Sequence, residues 1–359
     1  MSRPLSPGQT VGIIGGGQLG RMLAMAAARL GFRIVVLEPD PHCPAAQVAN
    51  SQIVGAYDDG KALQQLAEAS DVITYEFENV PVVAARAVAE RTSLFPPTEA
   101  LEAAQDRLTE KIFLNSTGIS TAPFVSVDSD ENLAQGLARF GGSGVLKTRR
   151  LGYDGKGQRV FRNALPRQAA GVHAALGGVP LILEGLVPFE REISVIAARG
   201  RDGAVVAYDA AENEHHEGIL RQTLVPARIP AATARAARDA TFQILEELHY
   251  VGVIAVEFFV LGNGAIVANE MAPRVHNSGH WTEAACACSQ FEQHIRAVAG
   301  LPLGGTDRLA DCVMQNLLGD EQDTAPQLLA EKDVVVHLYG KTESRPGRKM
   351  GHFTRLIRS

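Results

Sequence analysis

Residues 11–14 form a short apolar run, Val-Gly-Ile-Ile, that ends in Gly15-Gly16-Gly17-Gln18-Leu19-Gly20 and passes into a helical pattern over 18–30. A second apolar run at 33–37 follows and closes on Glu38-Pro39. A strand, a glycine turn, a helix and a strand in this order are the opening of a βαβ unit. Strand signals recur at 52–54 and 72–75, and helical patterns at 60–69 and 82–91 alternate with them. This alternation predicts a doubly wound parallel sheet over about the first 95 residues, stopped at Phe95-Pro96-Pro97.

Beyond that break the order becomes mixed. A helix is predicted over 99–116, and strands at 124–127, 144–147, 181–184, 192–198 and 204–208. A long helix over 231–248 leads into strands at 253–260 and 265–270, joined by Gly262-Asn263-Gly264, whose residues suit a hairpin. A helix follows at 290–299, and Leu301-Pro302-Leu303-Gly304-Gly305 marks a second break. Apolar runs at 312–318 and 334–338 predict a small β-rich tail. At 359 residues the chain suits two or three domains rather than one core. A net charge of -6 argues against a nucleic-acid binder. Cys43, Cys286, Cys288 and Cys312 lack zinc or disulfide spacing, the first residues do not read as a secretory signal, and no run is long enough to span a bilayer. A cytoplasmic enzyme is the expectation.

The chemistry concentrates in a few segments. Lys147 ends an apolar strand and is followed by Gly152, Tyr153, Asp154, Gly155, Lys156, Gly157 and Gln158, a glycine-broken cationic loop suited to gripping phosphate. It lacks the Gly-Lys-Ser/Thr ending of a P-loop. The first glycine turn allows three readings: a dinucleotide site with Glu38 on a ribose, a site for another phosphorylated ligand, or a tight turn only. Glu257 and Glu270 close consecutive strands with Asn269 beside the second, and paired carboxylates on an apolar hairpin suit Mg²⁺. Glu184, Gly185, Leu186 and Val187 leave a strand with Glu192 beyond them, which fits an adenine and ribose contact or a plain strand exit. The density of Arg274, His276, Asn277, Ser278 and His280 after Glu270 suggests a substrate-facing loop. Arg345, Arg348 and Lys349 form a cationic cluster that suits an anion or a solvated face equally. His173, His294 and His337 read as surface or packed residues, and Trp281 as core or contact.

Taken together, Gly15 to Met22, Asp106-Arg107-Leu108-Thr109-Glu110-Lys111, the loop from Gly152 to Gln158, the run from Asn269 to Trp281 and the segment from Arg345 to His352 resemble the ATP-grasp enzymes. Within these the chain looks like the 5-(carboxyamino)imidazole ribonucleotide synthases of purine biosynthesis. The resemblance implies an ATP-grasp fold (98–304, with a lid at about 118–190) between a Rossmann-like domain (1–97) and a β-rich C-terminal domain (305–359). It implies ATP-dependent carboxylation of aminoimidazole ribonucleotide by bicarbonate, with Mg²⁺ but without biotin or NAD, by a homodimer.

Carried over by position, Arg107, Lys147, the 152–158 loop, Glu184, Gly185, Leu186, Val187, Glu192, His215, Asn269 and Glu270 would hold ATP, and Glu257 and Glu270 the metal. Gln18, Leu19, Glu76, Tyr153, Arg274, His276, Asn277, Ser278, Arg345, Arg348 and Lys349 would hold the ribonucleotide. Asp154, Lys349 and Arg274 would take part in the chemistry. Lys156 stands where many relatives are expected to carry arginine, and relatives usually continue past Ser359 through a further helix. The competing expectations are a formate-using ATP-grasp ligase, a nicotinamide-dependent dehydrogenase on the glycine turn, and a nucleotide sensor without catalysis.

Overall fold

The computed structural model describes residues 3–152 and 157–358. Its first unit is a parallel sheet of β1 (Thr10–Ile14), β2 (Arg33–Leu37), β3 (Ser51–Ile53) and β4 (Val72–Tyr75) in the order β3-β2-β1-β4. The crossovers carry α1 (Gln18–Arg29), α2 (Gly60–Ala69) and α3 (Val82–Ala89). Leu19, Met22, Leu23, Ala26 and Ala27 recur every three or four residues and bury one face of α1. Asp59 caps α2 by accepting from the Lys61 and Ala62 amides.

The helix predicted over 99–116 is two helices, α4 (Thr98–Ala104) and α5 (Arg107–Ser116). Asp106 divides them. Its carboxylate accepts from the Leu108 and Thr109 amides and also takes both Arg149 Nε and Nη2, at 2.9 and 2.8 Å. A short acid that can cap competes with helix continuation, and Arg149 fixes the outcome. Asp106→Ala is expected to lower unfolding free energy by about 1–2 kcal/mol, measurable by urea titration; an unchanged midpoint would remove Asp106 as the determinant of the break.

A four-stranded antiparallel sheet follows: β5 (Phe124–Val127), β6 (Gly144–Thr148), β7 (Gln158–Phe161) and β8 (Leu181–Gly185), ordered β5-β8-β6-β7. The central sheet is larger. It comprises β9 (Phe189–Arg199), β10 (Val205–Ala207), β11 (Ala211–His216), β12 (Ile219–Val225), β13 (Gly252–Leu261), β14 (Ile266–Ala272), β15 (Asp311–Leu318), β16 (Val334–Leu338) and β17 (Lys349–Ile357). Its path is β14-β13-β9-β11-β12-β15-β17-β16, with β10 on β9. The C-terminal strands therefore continue the central sheet through the β12–β15 pairing.

One apolar core joins the first unit to the centre: Leu23 and Ala27 of α1 share it with Ile295 and Val298 of helix Gln290–Ala299, Val253 of β13 and the fully buried Trp281. Among the described residues, no helix is long and apolar enough to cross a membrane.

Candidate active site

A cleft of about 650 Å³ opens where the carboxyl ends of β1 and β4 meet the antiparallel sheets. That is where an open parallel sheet ordinarily receives a ligand. Gln18, Leu19 and Glu76 form its first wall, Lys147, Gly152 and Gln158 its second, and Glu257, Asn269 and Glu270 its floor.

At the glycine turn, the amides that could hold a phosphate already hold an anion. Gly16 N donates to Glu38 Oε2 at 2.8 Å, Gly17 N to Glu76 Oε1 at 2.7 Å and Gly20 N to Glu76 Oε2 at 2.8 Å. Gly15 has φ +104, and a Cβ at Gly17 would lie 2.6 Å from Glu76 Oε1, so the turn needs glycine for close approach to the carboxylate. Burial pushes the Glu76 carboxyl up while the two amides pull it down. Glu38 also accepts from the Tyr57 hydroxyl. A ribose partner for a dinucleotide is thus committed within the protein.

The nucleotide side is built from α5, β6, β8 and β14. Lys147 Nζ donates to Glu184 Oε2 at 2.9 Å, and Arg107 donates to Glu270 Oε2 at 2.9 Å and to the Gly152 carbonyl at 3.0 Å. Glu184 is 3% exposed, and although burial raises it, Lys147 and Lys111 hold it below the usual carboxylate range. Val145, Val160, Phe189, Phe259 and Met271 line an apolar slot beside these charges. The Phe189 and Phe259 rings stack at 4.4 Å. Apart from Met271, these residues have no place in the motifs; a signal was available only in Phe258-Phe259 next to Glu257 and in a lone Phe189 after β8.

Glu257 and Glu270 are directly opposite in the β13–β14 register. Burial and then the charge of Glu270 raise Glu257; burial also raises Glu270, but Arg107 outweighs it and keeps Glu270 ionised. Among the described residues, Asn269 Oδ1 is buried with no hydrogen-bond partner in this floor. Two carboxylates and an orphaned carbonyl oxygen are a hard oxygen donor set that fits a divalent cation such as Mg²⁺. Glu257 also meets Glu192 and His215, whose ligating atoms all lie within 4.8 Å of one another. His215 Nδ1 is 3.1 Å from Glu192 Oε2; burial lowers the imidazole, but Glu192 together with Glu257 and Glu270 outweighs it and raises the group.

The loop after β14 supplies Arg274, His276 and Asn277 to the same cleft. Arg274 pairs with Glu78. His276 Nδ1 meets Ser278 Oγ at 2.9 Å, and burial holds its pKa down at about 3, so it is neutral near pH 7. Asn277 and Asn316 exchange reciprocal amide bonds of 2.9 and 2.7 Å, which join this loop to β15. Lys349, at the start of β17, completes the wall.

Several of the expected residues do not line this cleft. Among the described residues, the wall excludes Gly157, Glu184, Gly185, Leu186, Val187, Ser278, Arg345 and Arg348. Glu184 stands behind Lys147; Gly185 N is bound to Pro123 O at 2.8 Å; Ser278 is fully buried under His276. Arg345 pairs with Glu343, and Arg348 donates to the Glu343 carbonyl at 2.8 Å, which holds both at the surface. Tyr153, Asp154, Gly155 and Lys156 lie outside the described residues.

The chain matches the family descriptions "Ribonucleotide synthetase preATP-grasp domain" over residues 8–105, "ATP-grasp domain" over 112–291 and "Phosphoribosylaminoimidazole carboxylase C-terminal domain" over 312–359. It is 63% identical to the N5-carboxyaminoimidazole ribonucleotide synthase of Brucella melitensis, covering 98% of this chain and 97% of the relative. The chain belongs to the N5-carboxyaminoimidazole ribonucleotide synthase family. Two solved members of that family extend the likeness to structure. The Staphylococcus aureus synthetase complexed with ADP superposes with TM-score 0.94 at 39% identity, over 100% of this chain and 95% of that one. The Aspergillus clavatus synthase in complex with ADP and 5-aminoimidazole ribonucleotide gives TM-score 0.90 at 31% identity, over 98% and 94%. Membership of this synthase family makes the chain an ATP-grasp ligase, as the resemblance of its motifs implied.

Proposed function

We propose that this chain joins bicarbonate to the amine of 5-aminoimidazole ribonucleotide with conversion of ATP to ADP and phosphate, as a step of purine biosynthesis. The observation that carries the reading is the convergence of Arg107, Lys147 and the Glu257–Glu270 pair with Gln18, Glu76, Arg274, His276 and Lys349 on one cleft. Adenine would lie in the slot of Phe189, Phe259 and Val160, and Glu192 would face the ribose. Arg107 and Lys147 would meet the phosphates.

Bicarbonate is a weak electrophile, and transfer of the γ-phosphoryl group to its oxygen makes carboxyphosphate, whose carboxyl carbon the amine attacks with phosphate leaving. Fixed cations matter most where negative charge spreads in that transfer. Glu257, Glu270 and Asn269 would hold Mg²⁺, which supplies neutralisation of the phosphate oxygens. Arg274, already oriented by Glu78, and Lys349 would hold the anionic ends of the ribonucleotide and bicarbonate. Neutral His276 contributes a hydrogen bond rather than a charge. Asp154 as the proton acceptor, and Tyr153 against the ribonucleotide, complete the proposal. A cytoplasmic homodimer of three units, 1–97, 98–304 and 305–359, belongs to the same reading.

ADP release measured with each amine and one-carbon donor tests this. Release is expected to need both 5-aminoimidazole ribonucleotide and bicarbonate, and to be unmoved by formate or glycinamide ribonucleotide; release that needs formate would overturn the assignment. NADH at micromolar concentration is expected to show no saturable fluorescence change, because Glu38 and Glu76 already take the turn amides.

A further inference from the structure

One face of α5 holds the strand that carries Glu270 at three successive residues. Lys111 Nζ donates to the Asn269 carbonyl at 2.7 Å, Arg107 Nη1 to the Glu270 carboxylate at 2.9 Å, and Met271 N donates to Glu110 Oε1 at 2.6 Å. Residues 107, 110 and 111 stand at the spacing that places helical side chains on one face. The carbonyl of Asn269 and the amide of Met271 belong to the two peptide groups that join Glu270 to its neighbours. They need partners because β14 is the end strand of the central sheet, paired among the described residues with β13 and, on its open edge, bridged at Ala268 to Thr121. Glu110 is 2% and Lys111 1% exposed, so neither is a mobile surface contact. Lys111 Nζ also stands 3.5 Å from Glu184 Oε1, and Glu184 takes Lys147, so the same ammonium ties β14 to β8.

We propose that Glu110 and Lys111 are positioning residues that clamp both peptide groups flanking Glu270, fixing its carboxylate for a magnesium-bound nucleotide and coupling β14 to the strand behind the nucleotide slot. The inference rests on the reading of Glu270 as a metal carboxylate. Glu110 acts as an acceptor at a fixed distance, and its charge is not what the clamp uses. Glu110→Gln keeps an acceptor oxygen at the end of a chain of the same length; Glu110→Asp keeps the charge but falls one methylene short. A charge-based role ranks these variants in the opposite order.

The test is ADP titration calorimetry on the full chain, once in magnesium and once in EDTA, with steady-state kinetics alongside. E110Q is expected within threefold of the parent in both titrations. E110D is expected to lose the magnesium-dependent part of ADP affinity by tenfold or more, as disturbed supporting contacts around metal ligands do, while affinity in EDTA and the KM for the ribonucleotide stay within twofold. Lys111→Met is read by the same two titrations, has the same expected outcome, and decides the matter if E110D does not fold. Equal losses with and without magnesium, retained magnesium dependence in folded E110D, or E110Q as impaired as E110D would each overturn the clamp. A parent chain that releases no ADP with bicarbonate and 5-aminoimidazole ribonucleotide would defeat the proposed reaction and leave these titrations interpretable.

Discussion

Glu270→Gln is expected to lower kcat with ATP by roughly 10³-fold while leaving a folded protein. The size follows from what the carboxylate faces. Glu270 stands opposite Glu257 in the floor of the cleft, beside the orphaned Asn269 oxygen, and takes one arm of Arg107. An amide has the same shape but carries no charge, so a cation held here loses one of two anionic ligands, and Arg107 is left to bind the nearest remaining anion. The structural cost is small by comparison. With 38% of the Glu270 side chain and 21% of Arg107 open to the cleft, water screens the pair, and its loss is worth about 1 kcal/mol or less. The melting temperature should fall by no more than about 3 °C. A stopped-time ADP assay and a thermal scan on the same preparation decide it: turnover within tenfold of the parent would take Glu270 out of the metal site, and a collapsed melt would show that its pairing with Arg107 is structural.

The parts of this site that were legible in the sequence are those carried by strong local signals. Alternating apolar runs located β1, β2 and β4, and Gly262-Asn263-Gly264 located the hairpin that sets Glu257 against Glu270. What was missed has no local signal. β11 reads Ala-Glu-Asn-Glu-His-His and looks like a solvated acidic run, yet Glu212 is buried against Arg191 and Arg228, and Asn213 against Thr223. Polar pairs made across strands hide the period on which a strand is recognised. The same holds for β17, whose first residue was legible only as part of a cationic cluster. Lys349 faces the cleft because β17 begins there, whereas Arg345 and Arg348 precede the strand and bind Glu343. Glu110 and Lys111 were visible only as letters within a motif. Their β14 partners, Met271 and Asn269, are more than 150 residues away along the chain, and no spacing rule reaches that far.

Acidification from pH 7.5 to pH 5 is expected to remove about 2 kcal/mol of stability through His294 alone. The ring lies in the core with no exposure, between β4 and β13: Val253 N donates to Nδ1 at 3.1 Å, and Nε2 meets Thr74 Oγ1 at 2.7 Å. Acceptance at Nδ1 places the ring's proton on Nε2, which then donates to Thr74. A second proton would have to sit on Nδ1, against the Val253 amide hydrogen, in a fully buried site. Burial accordingly holds the folded pKa at about 3, whereas an unfolded histidine titrates near 6.5. The unfolded chain therefore binds a proton that the folded chain excludes. The contribution is complete above pH 6.5 and declines as pH falls toward 3. His280 and His352, both fully buried and both held well below their ordinary value by burial and by neighbouring histidines, act in the same direction. With a total stability of about 5–15 kcal/mol, these groups narrow the margin against unfolding as the pH falls. Urea titrations of the parent and of His294→Gln at pH 7.5 and pH 5 isolate the one ring: the variant should be less stable at pH 7.5, and the gap should narrow by about 2 kcal/mol at pH 5. A gap that stays constant between the two pH values would mean that His294 carries its proton inside the folded core.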